Sequence, residues 1–141
     1  MQTILGSGGI ISKELAKSLR DYSSNIRLVS RNPKAFQESD ELVAADLTNA
    51  EETLKAVEGS EVAYLTVGLV YSLKEWSTKW PMIMTNVIEA CKAHNTRLVF
   101  FDNIYMYDPA FLGNMTEETP HKPISKKGNI RKPSILETYV L

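Results

Sequence analysis

Short apolar runs with strand character alternate with helical patterns from the amino terminus to residue 101, in the order β, α, β, β, α, β, α, β. Gln2 to Leu5 is apolar and runs into glycines, and past Gly9 the residues Ile11, Leu15 and Leu19 fall on one helical face. Asn25 to Ser30 carries Ile26, Leu28 and Val29 and is broken by Asn32-Pro33; residues between Pro33 and Glu38 are then expected to form a helical turn. Leu42 to Ala45 reads as a third strand closed by Asp46. Thr48 followed three residues later by Glu51 is a capping-box pattern, which predicts a helix from about Asn49 to Glu58 with Gly59 as its stop. Val62 to Val67 is the near-continuous apolar run of a strand buried on both faces. Trp76, Trp80, Ile83, Val87, Ala90 and His94 recur at steps of four and three, which requires a long helix with one buried stripe. Pro81 either kinks that helix or marks its start near Trp80. Arg97 to Phe101 is the fifth strand, and from Asp102 onward the chain is irregular and rich in Tyr, Pro, Asn and Thr.

Strands alternating with helices imply a parallel sheet, because right-handed crossovers return each strand beside an earlier one. The pattern predicts an α/β fold, a Rossmann-type open sheet of five strands in order 3-2-1-4-5 with helices on both faces. Such sheets take ligands at the carboxyl ends of strands where the order reverses. The 141 residues suffice for one domain with one core, and 43% hydrophobic against 23% charged residues excludes a disordered or collagen-like chain. A net charge of −1, from 16 basic and 17 acidic side chains, supplies no electrostatic pull toward nucleic acid or an anionic membrane. Neither is an expected partner. Cys91 is the lone cysteine, which excludes an intrachain disulfide and fits a reducing compartment. The start Met1 to Gly6 lacks a signal-peptide pattern and no window approaches the ~18 apolar residues of a membrane span, so a cytoplasmic protein is expected.

The segment Gly6-Ser7-Gly8-Gly9-Ile10-Ile11-Ser12 lies directly between the first strand and the first helix. Glycines there allow a tight turn and let backbone amides approach an anion, while the helix amino terminus adds favourable partial charge. A dinucleotide pyrophosphate would rest at such a place. Read as Gly-x-Gly-x-x-Gly from Gly6, the motif fails at Ile11; read as Gly-x-x-Gly-x-x-Gly, it matches at Gly6 and Gly9 and has Ser12 third. The last glycine serves close packing of helix on strand, so Ser12 is expected to push the two slightly apart without abolishing phosphate contact. About 20 residues further on, such a site needs an acidic side chain for the ribose of NAD, or an arginine nearby for the additional phosphate of NADP. Ser30-Arg31 occupies that position, which favours NADP over NAD. His94 and His121 have no second ligand at metal-binding spacing, and no metal is expected.

With that opening segment, the Ala45-Asp46-Leu47 triplet after the third strand, Thr66-Val67-Gly68 ending the fourth and Asn103 to Pro109 after the fifth, the chain resembles a known family over nearly its whole length. It is similar to the extended short-chain dehydrogenase/reductase superfamily, specifically the NAD-dependent epimerase/dehydratase proteins. The resemblance implies an NAD(P)-binding domain over residues 1–141, with Gly6, Ser7, Gly8, Gly9, Ile10 and Ile11 on the pyrophosphate and Arg31 on the adenosine ribose or its phosphate. It likewise implies Asp46 and Leu47 on the adenine, and Thr66, Val67 and Gly68 on the adenosine-side ribose and phosphates. The implied activity is hydride transfer on a sugar-like or carbonyl substrate by an epimerase, dehydratase or reductase.

The family's catalytic Tyr-x-x-x-Lys is not found where it is expected, which reads Pro123-Ile124-Ser125-Lys126-Lys127-Gly128. Aligning Tyr107-Asp108-Pro109 with the family's Tyr-Gly-x-Pro puts Asn103 where a serine or threonine would polarise the substrate oxygen. Lys126 or Lys127 could supply a positive charge and Tyr105 or Tyr107 a phenol, but not at the family spacing, so the catalytic residues stay open. The family also continues well past this length with a substrate-binding region, and Pro133 falls where its helix would be in full course. A chain truncated at its carboxyl end is therefore expected, its fifth strand an uncovered sheet edge. Three readings follow: the cofactor half of an enzyme, a non-catalytic dinucleotide-binding sensor, and an inactive remnant. The Trp-bearing helix reads most simply as core, although it could pair in a homodimer.

Overall fold

The computed structural model describes residues 1–131. The proline expected to interrupt a family helix, Pro133, lies outside them. The elements are β1 (Gln2–Leu5), α1 (Ile10–Leu19), β2 (Ile26–Ser30), β3 (Glu41–Ala44), α2 (Ala50–Val57), β4 (Val62–Leu65), α3 (Leu73–Ala93) and β5 (Arg97–Phe100). Two short 3-10 turns follow, at Ile104–Met106 and Pro109–Phe111, and residues 126–131 are helical. The five strands form one sheet in the order β3-β2-β1-β4-β5, every neighbouring pair parallel. This is the Rossmann-like order read from the sequence. Register aligns Leu5 with Val29 on one side and with Leu65 on the other, so these strands end level with one another.

The described residues fall into two compact units, the first made of Met1–Gly68 with Met82–Phe101, the second of Leu69–Pro81 with residues 102–131. In the first, Ile4, Leu5, Leu28, Val29 and Leu65 are fully buried, as parallel strands covered on both faces must be. Right-handed crossovers put α1 on one face of the sheet, where Ala16, Leu15 and Leu19 join Phe36 and Tyr64 around Ile4, Ile26 and Leu28. The buried face of α1 is completed by Ser12, whereas Ile11, expected on that face, is exposed. Beside α1 an apolar groove of about 400 Å³ is lined by Ile11, Leu15, Tyr64, Val99 and Phe101, along the β5 edge of the sheet.

Three local expectations are corrected. The N-cap of α2 is Asn49, one residue after Thr48: its side chain accepts from the amides of Glu51 and Glu52, and Glu52 rather than Glu51 accepts in return from Asn49 Nδ2. Asn caps at least as well as Thr, and Glu52 stands three residues on. Gly59, with φ +70°, ends the helix region as expected. No helical turn forms between Pro33 and Glu38; the Asp40 carboxylate instead accepts from the amides of Phe36 and Gln37 and from Arg20, which fixes the segment as a loop. Pro81 does not start α3, since the helix runs from Leu73 to Ala93 with the proline inside it. Among the described residues no helix is long and apolar enough to cross a membrane.

In the second unit Trp76 and Trp80 stack at 5.4 Å between ring centroids and are 6% and 0% exposed. They are core residues, as the simpler reading of the stripe expects.

Candidate dinucleotide site

The expected site residues of the first unit all stand at the carboxyl ends of β1, β2, β3 and β4, where the strand order reverses between β1 and β4. Gly6 leaves β1 with φ +97°, a left-handed conformation that costs glycine little. The amides of Gly6 and Ser7 both donate to the Val29 carbonyl at 2.9 Å, which ties the turn to the end of β2. On its other side the turn meets β4: Thr66 N donates to Leu5 O at 2.9 Å, and the Thr66 hydroxyl reaches the carbonyls of Leu5 and Gly6 at 3.3 and 3.4 Å. A Cβ on Gly6 would lie 2.6 Å from Val67 Cα. Two segments that the sequence marks separately, Gly6 onward and Thr66 to Gly68, are thus one structure.

Beyond Gly6 the turn opens. Gly8 and Gly9 are exposed, with no atom within 4 Å of the place a Cβ would take, and Ile10 projects into solvent. Gly9 caps α1, whose first amides have no intrahelical acceptor and carry the positive end of the helix dipole. Ser12, standing for the third glycine, donates its hydroxyl to Gly9 O at 2.7 Å and accepts from Gly9 N at 3.1 Å. The hydroxyl therefore tightens the helix start from within. Ser7 is 3% exposed and its Oγ has no hydrogen-bond partner among the described residues. A buried hydroxyl without a partner costs about 1–3 kcal/mol, and a phosphate oxygen seated on the turn would supply the missing acceptor.

Arg31 stands exposed just past β2. The end of β2 is tied to β3 by Ala45 N donating to Ser30 O at 3.0 Å, so Arg31 and Asp46 leave adjoining strand ends. Asp46 does local work as well: Oδ1 accepts from the Thr48 amide at 3.0 Å and the Thr48 hydroxyl at 2.8 Å, and its own amide donates to Glu52. Leu47 is 6% exposed, which leaves little of its side chain for an adenine ring. Its carbonyl accepts from Asn86 Nδ2 at 3.0 Å. Asn86 was not singled out from the sequence; the available signal was an amide among the apolar residues of a buried helix stripe.

The second unit holds the residues weighed for catalysis and pairs them otherwise than a Tyr-x-x-x-Lys would. Asn103 Oδ1 accepts from Tyr105 N, Tyr107 meets the His121 ring edge-on at 5.0 Å, and Lys126 is exposed. Lys127 Nζ sits 3.0 Å above the ring centre of Tyr71, a residue the sequence reading passed over, and 4.9 Å from Trp76.

A model of a family described as NAD(P)H-binding matches residues 6–130. No curated protein matches the chain. Among solved structures it is similar to uronate dehydrogenase from Agrobacterium tumefaciens, with a TM-score of 0.80 and 19% identity over 94% of this chain and 52% of that one. A short-chain dehydrogenase/reductase superfamily protein from the same organism, solved with bound NAD, gives 0.84 and 19% over 99% of this chain and 44% of that one. The Bordetella bronchiseptica enzyme WbmG, in complex with NAD and UDP, gives 0.81 and 14% over 98% and 48%. At such identities the likeness is one of fold, and the chain spans about half the length of these structures.

Proposed function

The chain belongs to the NAD(P)H-binding family, and on that premise we propose that it holds NADP(H) in preference to NAD(H), as the cofactor part of a protein acting by hydride transfer on a sugar-like or carbonyl substrate. The observation that carries the binding mode is the glycine turn: clamped at Gly6, open at Gly8 and Gly9, and lined by a buried Ser7 hydroxyl that lacks an acceptor. Those residues fit a diphosphate. The turn from Gly6 to Ile11 would hold the pyrophosphate: the amides of Gly6, Ser7 and Gly9 brace it through Val29 O and Ser12 Oγ, which leaves those of Gly8, Ile10 and Ile11 to donate to the phosphates, with Thr66, Val67 and Gly68 at the adjoining ribose and phosphates and Asp46 with Leu47 at the adenine. When bound, the nicotinamide dinucleotide supplies or accepts a hydride. The exposed guanidinium of Arg31 would meet the ribose phosphate that distinguishes NADP, and its charge supports the preference. The sugar-like substrate is supported by the uronate dehydrogenase and UDP-bound enzyme among the similar folds.

The test is competition between NADPH and NADH for the wild type and for Arg31→Ala. A charge-assisted contact contributes about 1.5–3 kcal/mol, so Arg31→Ala should lose NADPH affinity by roughly tenfold or more and leave NADH nearly unchanged. Equal losses for both would refute the assigned role of Arg31. A second reading, a dinucleotide binder without chemistry, is favoured by one observation: the Lys127 ammonium rests on a ring face and not beside a phenol of Tyr105 or Tyr107. Tight binding without turnover on any sugar, alcohol or carbonyl would select it.

A further inference from the structure

The turn after β3, from Asp46 to Asn49, is held mostly from within. Asn49 N donates to Asp46 O at 2.8 Å, and Asp46 Oδ1 accepts from the Thr48 amide at 3.0 Å and the Thr48 hydroxyl at 2.8 Å. Asp46 N donates to Glu52 in α2, the helix that starts from the turn. One bond comes from farther off: Asn86, in the part of α3 that belongs to the first unit, donates Nδ2 to Leu47 O at 3.0 Å across 39 positions of sequence. Thr53 also approaches Leu47 O, at 3.3 Å, but its hydroxyl has one proton and lies nearer Asn49 O, at 2.7 Å. Asn86 is therefore the effective donor to that carbonyl. It is half-buried in an apolar setting, where Ile83 and Met84 before it and Val87, Ile88 and Ala90 after it are each at most 3% exposed. An amide among such neighbours costs free energy unless it is hydrogen-bonded, whereas an apolar side chain would pack there without that cost. Packing alone does not call for an asparagine at this position.

What the amide supplies is direction. Leu47 O and the Thr48 N–H are the two ends of one planar trans peptide, which points them to opposite sides. Asn86 holds the oxygen end, and the N–H at the other end donates to the Asp46 carboxylate. Bonds in such a chain polarise one another, so the peptide passes both orientation and strength to the carboxylate. We propose that Asn86 is a positioning residue for Asp46, acting through the Leu47–Thr48 peptide, and that it makes the site selective for a base with an exocyclic amino group. This rests on the reading above that Asp46 meets the adenine, and deepens it by naming what aims the carboxylate. A carboxylate accepts from an amino group and repels a carbonyl oxygen, so a correctly aimed Asp46 distinguishes adenine from hypoxanthine, which carries oxygen at that place. A tilted peptide turns the carboxylate away, and the distinction fades.

The experiment is calorimetric titration of the intact chain with NADPH and with its hypoxanthine counterpart, for the wild type, Asn86→Leu and Asn86→Ala. Both nucleotides carry the pyrophosphate and the ribose phosphate, so the glycine turn and Arg31 contribute equally and cancel in the ratio of affinities. The wild type should prefer NADPH by roughly tenfold, the worth of one hydrogen bond to a charged group. Both variants should lower that preference to about threefold or less, through lost NADPH affinity with the hypoxanthine nucleotide bound as before. Asn86→Leu keeps the volume of the side chain and gives the stripe an apolar residue, and Asn86→Ala adds no bulk; circular dichroism and urea unfolding establish that they are folded. A merely structural role would weaken both nucleotides alike. An unchanged preference, or equal losses for both nucleotides, would overturn the inference and leave the nucleotide reading standing. A wild type that binds both nucleotides equally would remove Asp46 from the base and the inference with it. One that binds neither would remove the nucleotide reading itself, and this inference as its dependant.

Discussion

A methyl group on residue 6 would stand 2.6 Å from Val67 Cα and 2.7 Å from its nitrogen, on a backbone whose φ of +97° already excludes most side chains. Gly6→Ala should therefore cost about 2 kcal/mol or more of stability, read from urea unfolding. Gly8→Ala meets nothing within 4 Å and has no positive φ, so it should unfold much as the wild type does while losing NADPH affinity, because its methyl group projects where the diphosphate approaches. Ser7→Ala separates stability from binding in another way. Removing a buried hydroxyl that has no partner should leave the apo protein as stable or more so, and weaken NADPH by about fivefold, the worth of one ordinary hydrogen bond. A loss of apo stability in Ser7→Ala would mean that the hydroxyl is satisfied internally. Of these residues the glycines were legible from the sequence, because a turn between strand and helix calls for them locally, whereas the close approach of Val67 to Gly6 was not. The orphaned state of Ser7 was not, since it depends on what the ends of β2 and β4 place around it.

At the scale of elements, what decided each miss was a side-chain hydrogen bond that hydrophobic periodicity does not encode. The segment after β2 looked like a helical turn, yet Asp40 collects Phe36 N, Gln37 N and the Arg20 guanidinium, the last from the end of α1. Burial pushes the Asp40 pKa up, but the Arg20 hydrogen bond and the two amides outweigh it and hold the carboxyl below its ordinary value of 3.8. A depressed folded pKa adds stability that is present above the unfolded value and lost as pH falls through the folded one. Asp40→Asn should thus destabilise the chain by about 2 kcal/mol at neutral pH, and the gap from wild type should shrink as pH drops below about 4. Denaturant unfolding of both proteins between pH 7 and 3 checks this; a gap independent of pH would contradict it. The shift of the α2 cap from Thr48 to Asn49 has a similar cause, since Thr48 is engaged by Asp46 and leaves the cap to its neighbour. The family resemblance implies Asp46 as an adenine ligand, and the structure gives its carboxylate a local task as well, the link to Thr48.

For the whole molecule, strand order and parallel direction followed from periodicity and crossover handedness alone, and the sheet has both. Which residues the units bring together did not follow, because the Lys127 contact with Tyr71 joins positions 56 residues apart and no local pattern encodes it. The chain covers about half of the solved structures it resembles, and β5 with its exposed Val99 forms one edge of the sheet. The residues proposed for the nucleotide, Gly6 through Ile11, Arg31, Asp46 and Thr66 through Gly68, all belong to the first unit, so the proposal is that this unit carries the binding. Calorimetric titration of the intact chain with NADPH and, separately, NADH tests this most directly. One equivalent of NADPH bound with measurable heat, and more tightly than NADH, is the predicted result; no heat from either nucleotide would contradict it.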